Sequence, residues 1–178
     1  HYFFMLEGLK HVRESLKKRG IQMVILHRSP EHGVLQLAKK ASVTVVDRGY
    51  LRIQKAWRED ASKKMECPLI QVETDVVVPV EETSPREEYS AATIRSKIRR
   101  KLEAFLVPLK EHEPLIDSLS LDFDSFDIED VEEAISQLRI DRSVKRVNSF
   151  RGGTKQAKSH LEIFIESKLD RFPELRND

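Results

Sequence analysis

The sequence predicts an α/β fold in which a parallel sheet is flanked by helices and followed by a linker and an α-helical extension. Three observations carry that reading. The first half alternates apolar stripes at helical spacing with short, continuous apolar runs. Turn and capping residues separate those segments. Beyond Pro108 the alternation stops, and an acidic, proline-punctuated stretch takes its place.

The elements follow in order. Phe3, Leu6, Leu9, Val12 and Leu16 recur at helical spacing, predicting a helix from about Tyr2 to Arg19 that stops at Gly20. Ile21 to Leu26 reads as a short apolar run, broken only by Gln22, as in a strand buried on both faces. Ser29-Pro30 reads as an N-cap followed by proline in the first turn of a second helix, reaching about Lys40. Ser42 to Asp47, rich in valine, is the second predicted strand. Leu51 to about Met65 forms a helix with Trp57 and Ala61 on one face, and Pro68 precedes a third strand, Leu69 to Glu73. Such a βαβαβ rhythm implies parallel strands joined by right-handed crossovers.

Val76 to Val80 has strand-like composition, but Pro79 argues against a central position. Ser84-Pro85-Arg86-Glu87 predicts a capping box and a helix to about Leu106, with Tyr89, Ile94, Ile98, Leu102 and Phe105 inward. Pro108 to about residue 126 reads as a weakly structured acidic linker. A short acidic helix follows over about Ile128 to Leu138. Phe150-Arg151-Gly152-Gly153-Thr154 then leads into a last amphipathic helix, striped by Ala157, Leu161, Phe164 and Leu169. The expected division is a Rossmann-like α/β domain over 1–107 lacking its first strands, a linker over 108–149, and the start of a helical domain over 150–178.

Composition narrows the function classes. The 178 residues are 39% hydrophobic and 34% charged, which suits a water-soluble core-forming chain. With 31 basic and 30 acidic side chains, the net charge of +1 gives no whole-molecule attraction to nucleic acid or membrane. One cysteine, Cys67, permits no internal disulfide, so a cytoplasmic location is expected. No apolar run is long enough to span a bilayer.

No zincin helix, nucleophile elbow or Walker loop is present. His27 and His32 read as structural or surface residues rather than metal ligands, and Cys67 as a buried inert thiol. The basic run Arg95, Lys97, Arg99, Arg100 and Lys101 reads by default as a solvated helix face, and Gly152-Gly153 as a flexible helix entry. The strand ends are more informative, because ligands of open α/β sheets bind in the crevice at the carboxyl ends of the strands. There the chain carries Asp47, Arg48, Gly49 and Tyr50 after one strand and Glu73 and Asp75 after the next. Charged groups, an aromatic ring and a glycine suit the lining of a site for a planar, polar chromophore.

Several segments, in order, resemble class II cyclobutane pyrimidine dimer photolyases. They are His1-Tyr2-Phe3-Phe4-Met5-Leu6-Glu7-Gly8-Leu9, Val45-Val46-Asp47-Arg48-Gly49-Tyr50-Leu51-Arg52-Ile53-Gln54 with Trp57-Arg58-Glu59, and Val72-Glu73-Thr74-Asp75-Val76-Val77-Val78-Pro79-Val80. Glu88-Tyr89-Ser90-Ala91-Ala92-Thr93-Ile94-Arg95-Ser96-Lys97-Ile98, Phe150 to Ala157, Leu169-Asp170 and Leu175 to Asp178 are similar as well. The chain departs at Thr74-Asp75-Val76, where family members often carry alanine-histidine-asparagine, and at Ser96, where proline is common.

The resemblance implies an antenna domain for light-dependent DNA repair. Its strand-end crevice would hold a deazaflavin or folate. FAD and damaged DNA would be bound by a helical domain whose flavin segment lies beyond Asp178. It also implies two strands ahead of His1. On this reading the chain alone does not repair DNA, and its open sheet edge and last helix favour self-association. The alternatives are a non-catalytic nucleotide-binding or protein-interaction module and a fragment of a cryptochrome-type photoreceptor.

Overall fold

A computed structural model describes residues 1–176. The helices are α1 (Tyr2–Lys18), α2 (Pro30–Ala38), α3 (Arg52–Lys64), α4 (Val80–Thr83), α5 (Ala91–Phe105), α6 (Val131–Ser136), α7 (Thr154–Ser167) and α8 (Phe172–Leu175). Strand β1 (Thr44–Asp47) lies between α2 and α3, and β2 (Leu69–Val72) follows α3. The chain separates into two compact units, one made of His1–Leu26 with the chain from His112 onward, the other of His27–Glu111.

The second unit carries the sheet, and with it the α/β class. β1 and β2 are parallel and in register from Thr44 against Leu69 to Asp47 against Val72. The ladder continues past both ends, since Thr44 N donates to Pro68 O at 2.9 Å and Arg48 N to Val72 O at 2.9 Å. Pro68 can serve here because only its carbonyl is needed. α2 and α3 pack together beside the strands. α2 begins at Pro30 behind Ser29, whose extended backbone ends the preceding loop. α3 begins where the Gln54 side chain turns back to accept from Leu51 N at 3.0 Å. Cys67 is half-buried, 3.3 Å from the Thr44 hydroxyl.

Two expectations in this unit are corrected. α5 starts at Ala91 rather than behind Ser84: Ser90 is its N-cap, accepting from Thr93 N at 3.3 Å. Ser84 instead closes α4, its hydroxyl donating to Glu88 at 2.8 Å and accepting from the Lys97 ammonium at 3.1 Å rather than from a helix N–H. Tyr89 therefore precedes the helix and is 90% exposed rather than inward. Val76 to Val78 forms no strand, Pro79 is the N-cap of α4, and Val80 is the first residue of that helix.

The first unit is helical. Leu6 of α1 and Ala134 and Ile135 of α6 are buried with Ile128, and Phe3, Leu9, Ile25 and Phe126 pack against them. Asp130 caps α6 by accepting from Glu132 N at 2.9 Å and Glu133 N at 3.2 Å. Glu7 of α1 holds the entry to α7, accepting from Gly152 N at 2.7 Å while pairing with Arg146.

Here a third expectation is overturned. Ile21 to Leu26 is not a strand. Its backbone bonds to the acidic segment instead: Gln22 N donates to Ser118 Oγ at 2.8 Å, Ile25 N to Ser125 Oγ at 3.0 Å, and Phe126 N to Ile25 O at 2.7 Å. An apolar run must be buried, but its amides need partners only of the right polarity, and serine hydroxyls supply them without a sheet. The stretch expected to be weakly structured is thus tied down at Ser118 and Ser125.

Candidate functional site at the strand ends

Both strand-end loops belong to the second unit, and the parallel register sets them side by side. Asp47, the last residue of β1, accepts from the Thr74 hydroxyl at 2.7 Å. Tyr50 donates to Glu73 at 2.6 Å, and the same carboxylate oxygen accepts from Val80 N at 2.8 Å, joining the loop to the first turn of α4. Arg48 pairs with Glu81 of α4, and its guanidinium carbon lies 5.9 Å from the Tyr50 ring centroid.

These contacts set the electrostatics. The Glu81 carboxylate raises the Arg48 pKa, and Arg48 in turn holds Glu81 below the usual carboxylate range. Partial burial, then the bond to Glu73, pushes the Tyr50 phenol up. Both loops are therefore held by charge-assisted bonds.

The six expected residues fall around two hollows. Asp47, Gly49 and Asp75 line a cavity of about 360 Å³ between α2, α3 and the end of β1. Arg48 and Tyr50 line a second hollow of about 370 Å³, together with Lys55, Arg58 and Glu81. Glu73 reaches that side through its bond to Tyr50. Gly49 is buried against Gln54, and a side chain at this position would collide with the Gln54 amide.

Sequence reasoning missed the helical half of the first cavity. Glu31 and Val34 of α2 and Trp57 and Arg58 of α3 complete its wall. Glu31 is notable because its Oε2 is buried and has no hydrogen-bond partner among the described residues. Pairing the inward face of Trp57 and Ala61 with the strand end beside it was the signal that would have found the cavity. His27 and His32 do not enter its wall, and among the described residues no group of three or more metal-ligating side chains is assembled.

A family model described as DNA photolyase matches residues 1–115, almost two thirds of the chain and all six candidate positions. The chain belongs to the DNA photolyase family. It is 42% identical over 181 aligned residues to a deoxyribodipyrimidine photo-lyase of Methanothermobacter thermautotrophicus, an alignment covering 100% of this chain and 39% of that protein. A deoxyribodipyrimidine photo-lyase of Potorous tridactylus is 30% identical over 182 residues, covering 100% of this chain and 34% of the relative. The Arabidopsis thaliana enzyme of the same name is 29% identical over 133 residues, covering 68% and 27%. This photolyase-family chain thus spans little more than a third of the length of the relatives it matches along its whole length.

Proposed function

We propose that this chain is the light-harvesting part of a class II cyclobutane pyrimidine dimer photolyase, with an antenna chromophore in the strand-end cavity. FAD and damaged DNA would be engaged by other parts of the parent protein, in a cytoplasmic setting. In the division proposed, residues 1–107 form the antenna domain, 108–149 the connection, and 150–178 the start of the flavin-binding domain.

The observation that carries this reading is the cavity beside β1. Its volume of about 360 Å³ falls within the range of about 300–1,000 Å³ usual for small-molecule sites. It is lined by the Trp57 side chain and by the carboxylates of Asp47, Asp75 and Glu31. A buried carboxylate oxygen without a partner is costly unless a donor reaches it. A deazaflavin or folate ring carries such N–H donors on a planar, apolar frame, so these residues fit either group. Trp57 would stack on the ring, Glu31 and Asp75 would accept its protons, and Gly49 lets the backbone approach. When bound, the chromophore supplies absorption in the near ultraviolet or blue and passes excitation to the flavin.

Titration of the purified chain with a deazaflavin and with a reduced folate, followed by ligand fluorescence, tests the proposal. Saturable binding that weakens at least tenfold in Glu31→Gln or Trp57→Ala is expected. Absence of binding to either ligand would overturn it. A protein-interaction module is the second reading, and one observation favours it: the sheet face carrying Val45, Ile70 and Val72 is exposed.

A further inference from the structure

We infer that the hollow formed by α4, α5 and the valine run before α4 is a binding site for an aliphatic α-amino acid. It lies within the second unit and shares no lining residue with the cavity beside β1. Its apolar wall is Val76, Val77, Val78, Val80, Ile94 and Ile98. Ile94 and Ile98 stand one turn apart on α5, so they share a face of that helix. Val76 to Val78 join no strand and complete the wall with Val80, the first residue of α4.

The wall selects an aliphatic group. All of these side chains are β-branched and therefore stiff at χ1, so the hollow holds its shape without an occupant. No aromatic ring lines it among the described residues, whereas Trp57 lines the cavity beside β1. Its hydroxyls are already satisfied. Thr83 donates to Pro79 O at 3.0 Å, and Ser84 donates to Glu88 at 2.8 Å while accepting from Lys97 at 3.1 Å. Glu88 is itself paired with Lys97. A polar group entering the hollow gains no partner from these residues, and an apolar hollow holds water poorly. Yet Val76, Val77 and Val80 are 41%, 51% and 42% exposed. An aliphatic side chain would take that surface out of water. The volume, about 390 Å³, falls within the range of about 300–1,000 Å³ usual for small-molecule sites.

Charge selects the rest of the ligand. Arg86 and Glu87 also line the hollow, are exposed, and make no hydrogen bond or ion pair among the described residues. They place one unpaired guanidinium and one unpaired carboxylate beside an apolar wall. An α-amino acid carries the complementary set: a carboxylate for Arg86, an ammonium for Glu87, and a side chain for the valines and isoleucines. A fatty acid would leave Glu87 unpaired and close to its own carboxylate. An alkane would leave both charges unused. The two ligand charges sum to zero, as do those of Arg86 and Glu87, so the zwitterion fits this site better than either ion.

The experiment is a titration of the whole chain, carrying labelled valine and isoleucine methyl groups, with L-leucine, followed by carbon–proton correlation spectra. Saturable shifts are expected at Val76, Val77, Val78, Val80, Ile94 and Ile98. Glycine lacks the side chain and should bind about tenfold or more weakly. L-Phenylalanine should also bind more weakly than leucine. Val77→Asp, at a half-exposed position, should abolish the shifts, and Val77→Phe, which fills the hollow, should do the same; circular dichroism checks that each is folded. Exposed ion pairs are worth little, so Arg86→Gln and Glu87→Gln should each weaken leucine by up to about fivefold. Arg86→Gln should leave isoamylamine, which has no carboxylate, unaffected, and Glu87→Gln should leave isocaproate, which has no ammonium, unaffected. The inference is overturned if leucine causes no saturable shift at these methyls, if glycine or phenylalanine binds as tightly as leucine, if both folded Val77 variants retain binding, or if neither glutamine variant weakens leucine.

Discussion

Glu88 sits where three donors converge. The Lys97 ammonium pairs with it, and the hydroxyls of Ser84 and Thr93 add hydrogen bonds, lowering its pKa from 4.5 to about 2. Because the folded-state value is depressed, the stability this carboxylate contributes is fully present above about pH 4.5 and is lost as pH falls toward 2. The site links α5 to the turn after α4, so acid should loosen that junction. In urea unfolding followed by helix content, Glu88→Gln is expected to be less stable than the parent chain at pH 6, and the difference should shrink steadily between pH 5 and 2. A difference that stays constant over that range would remove Glu88 from the account. The same residue shows how far side-chain roles can be read from sequence. A glutamate four positions after Ser84 looks like part of a helix start; the lysine nine positions further on, which sets its state, is brought in only by folding. Glu31 is the parallel case at the candidate site. A first-turn glutamate after proline is ordinary helix chemistry, and only the packing of α2 beside α3 makes its buried oxygen an unmet acceptor.

Helix ends were legible where one local signal decides them. α1 stops at Gly20 because that residue adopts a φ of +70°, which side-chain-bearing residues rarely take up. A Cβ there would also lie 2.8 Å from the Asp117 Cβ. Gly20→Ala is therefore expected to destabilise the first unit by more than about 1 kcal/mol, and hydrogen exchange of the amides bonded at Ser118 and Ser125 should accelerate. Unchanged protection there would mean the turn is not what anchors that segment. α2 and α7 were likewise marked by Pro30 and the Gly152-Gly153 pair, whereas the Gln54 side chain that opens α3 was not read from the sequence. Ile21 to Leu26 was not legible, because an apolar run states that burial is required and not which groups will accept its backbone. Ser84-Pro85 misled for the reverse reason: two serines six residues apart both carry a capping signal, and the competition between them is decided by Glu88 and Lys97.

At the scale of the whole molecule, the α/β class and the strand-end loops followed from the alternation of elements, while the extent of the sheet did not, since among the described residues only β1 and β2 pair. That small sheet has a consequence for behaviour in solution. Paired residues in a parallel ladder point to the same side, so Val45 and Ile70, in register, lie on one face with Val72. Val45 is 58% exposed and Ile70 50%. Parallel sheets are ordinarily covered on both faces, and each strand here also has one edge without a strand neighbour among the described residues. α7 adds Leu161, Ile163 and Ile165, each about half exposed. Burying apolar surface of this kind is worth roughly 25 cal/mol per Å² before the cost of association, enough to favour self-association at high concentration. Multi-angle light scattering should therefore show a mass that rises with concentration. Ile70→Lys, which places a charge at the centre of the exposed face without touching the cavity, should shift that equilibrium toward monomer and leave chromophore binding unchanged. If Ile70→Lys associates as strongly as the parent, the sheet face is not the contact, and Leu161→Lys on α7 becomes the discriminating variant. A monodisperse monomer at every concentration would show that neither surface is adhesive enough to act alone.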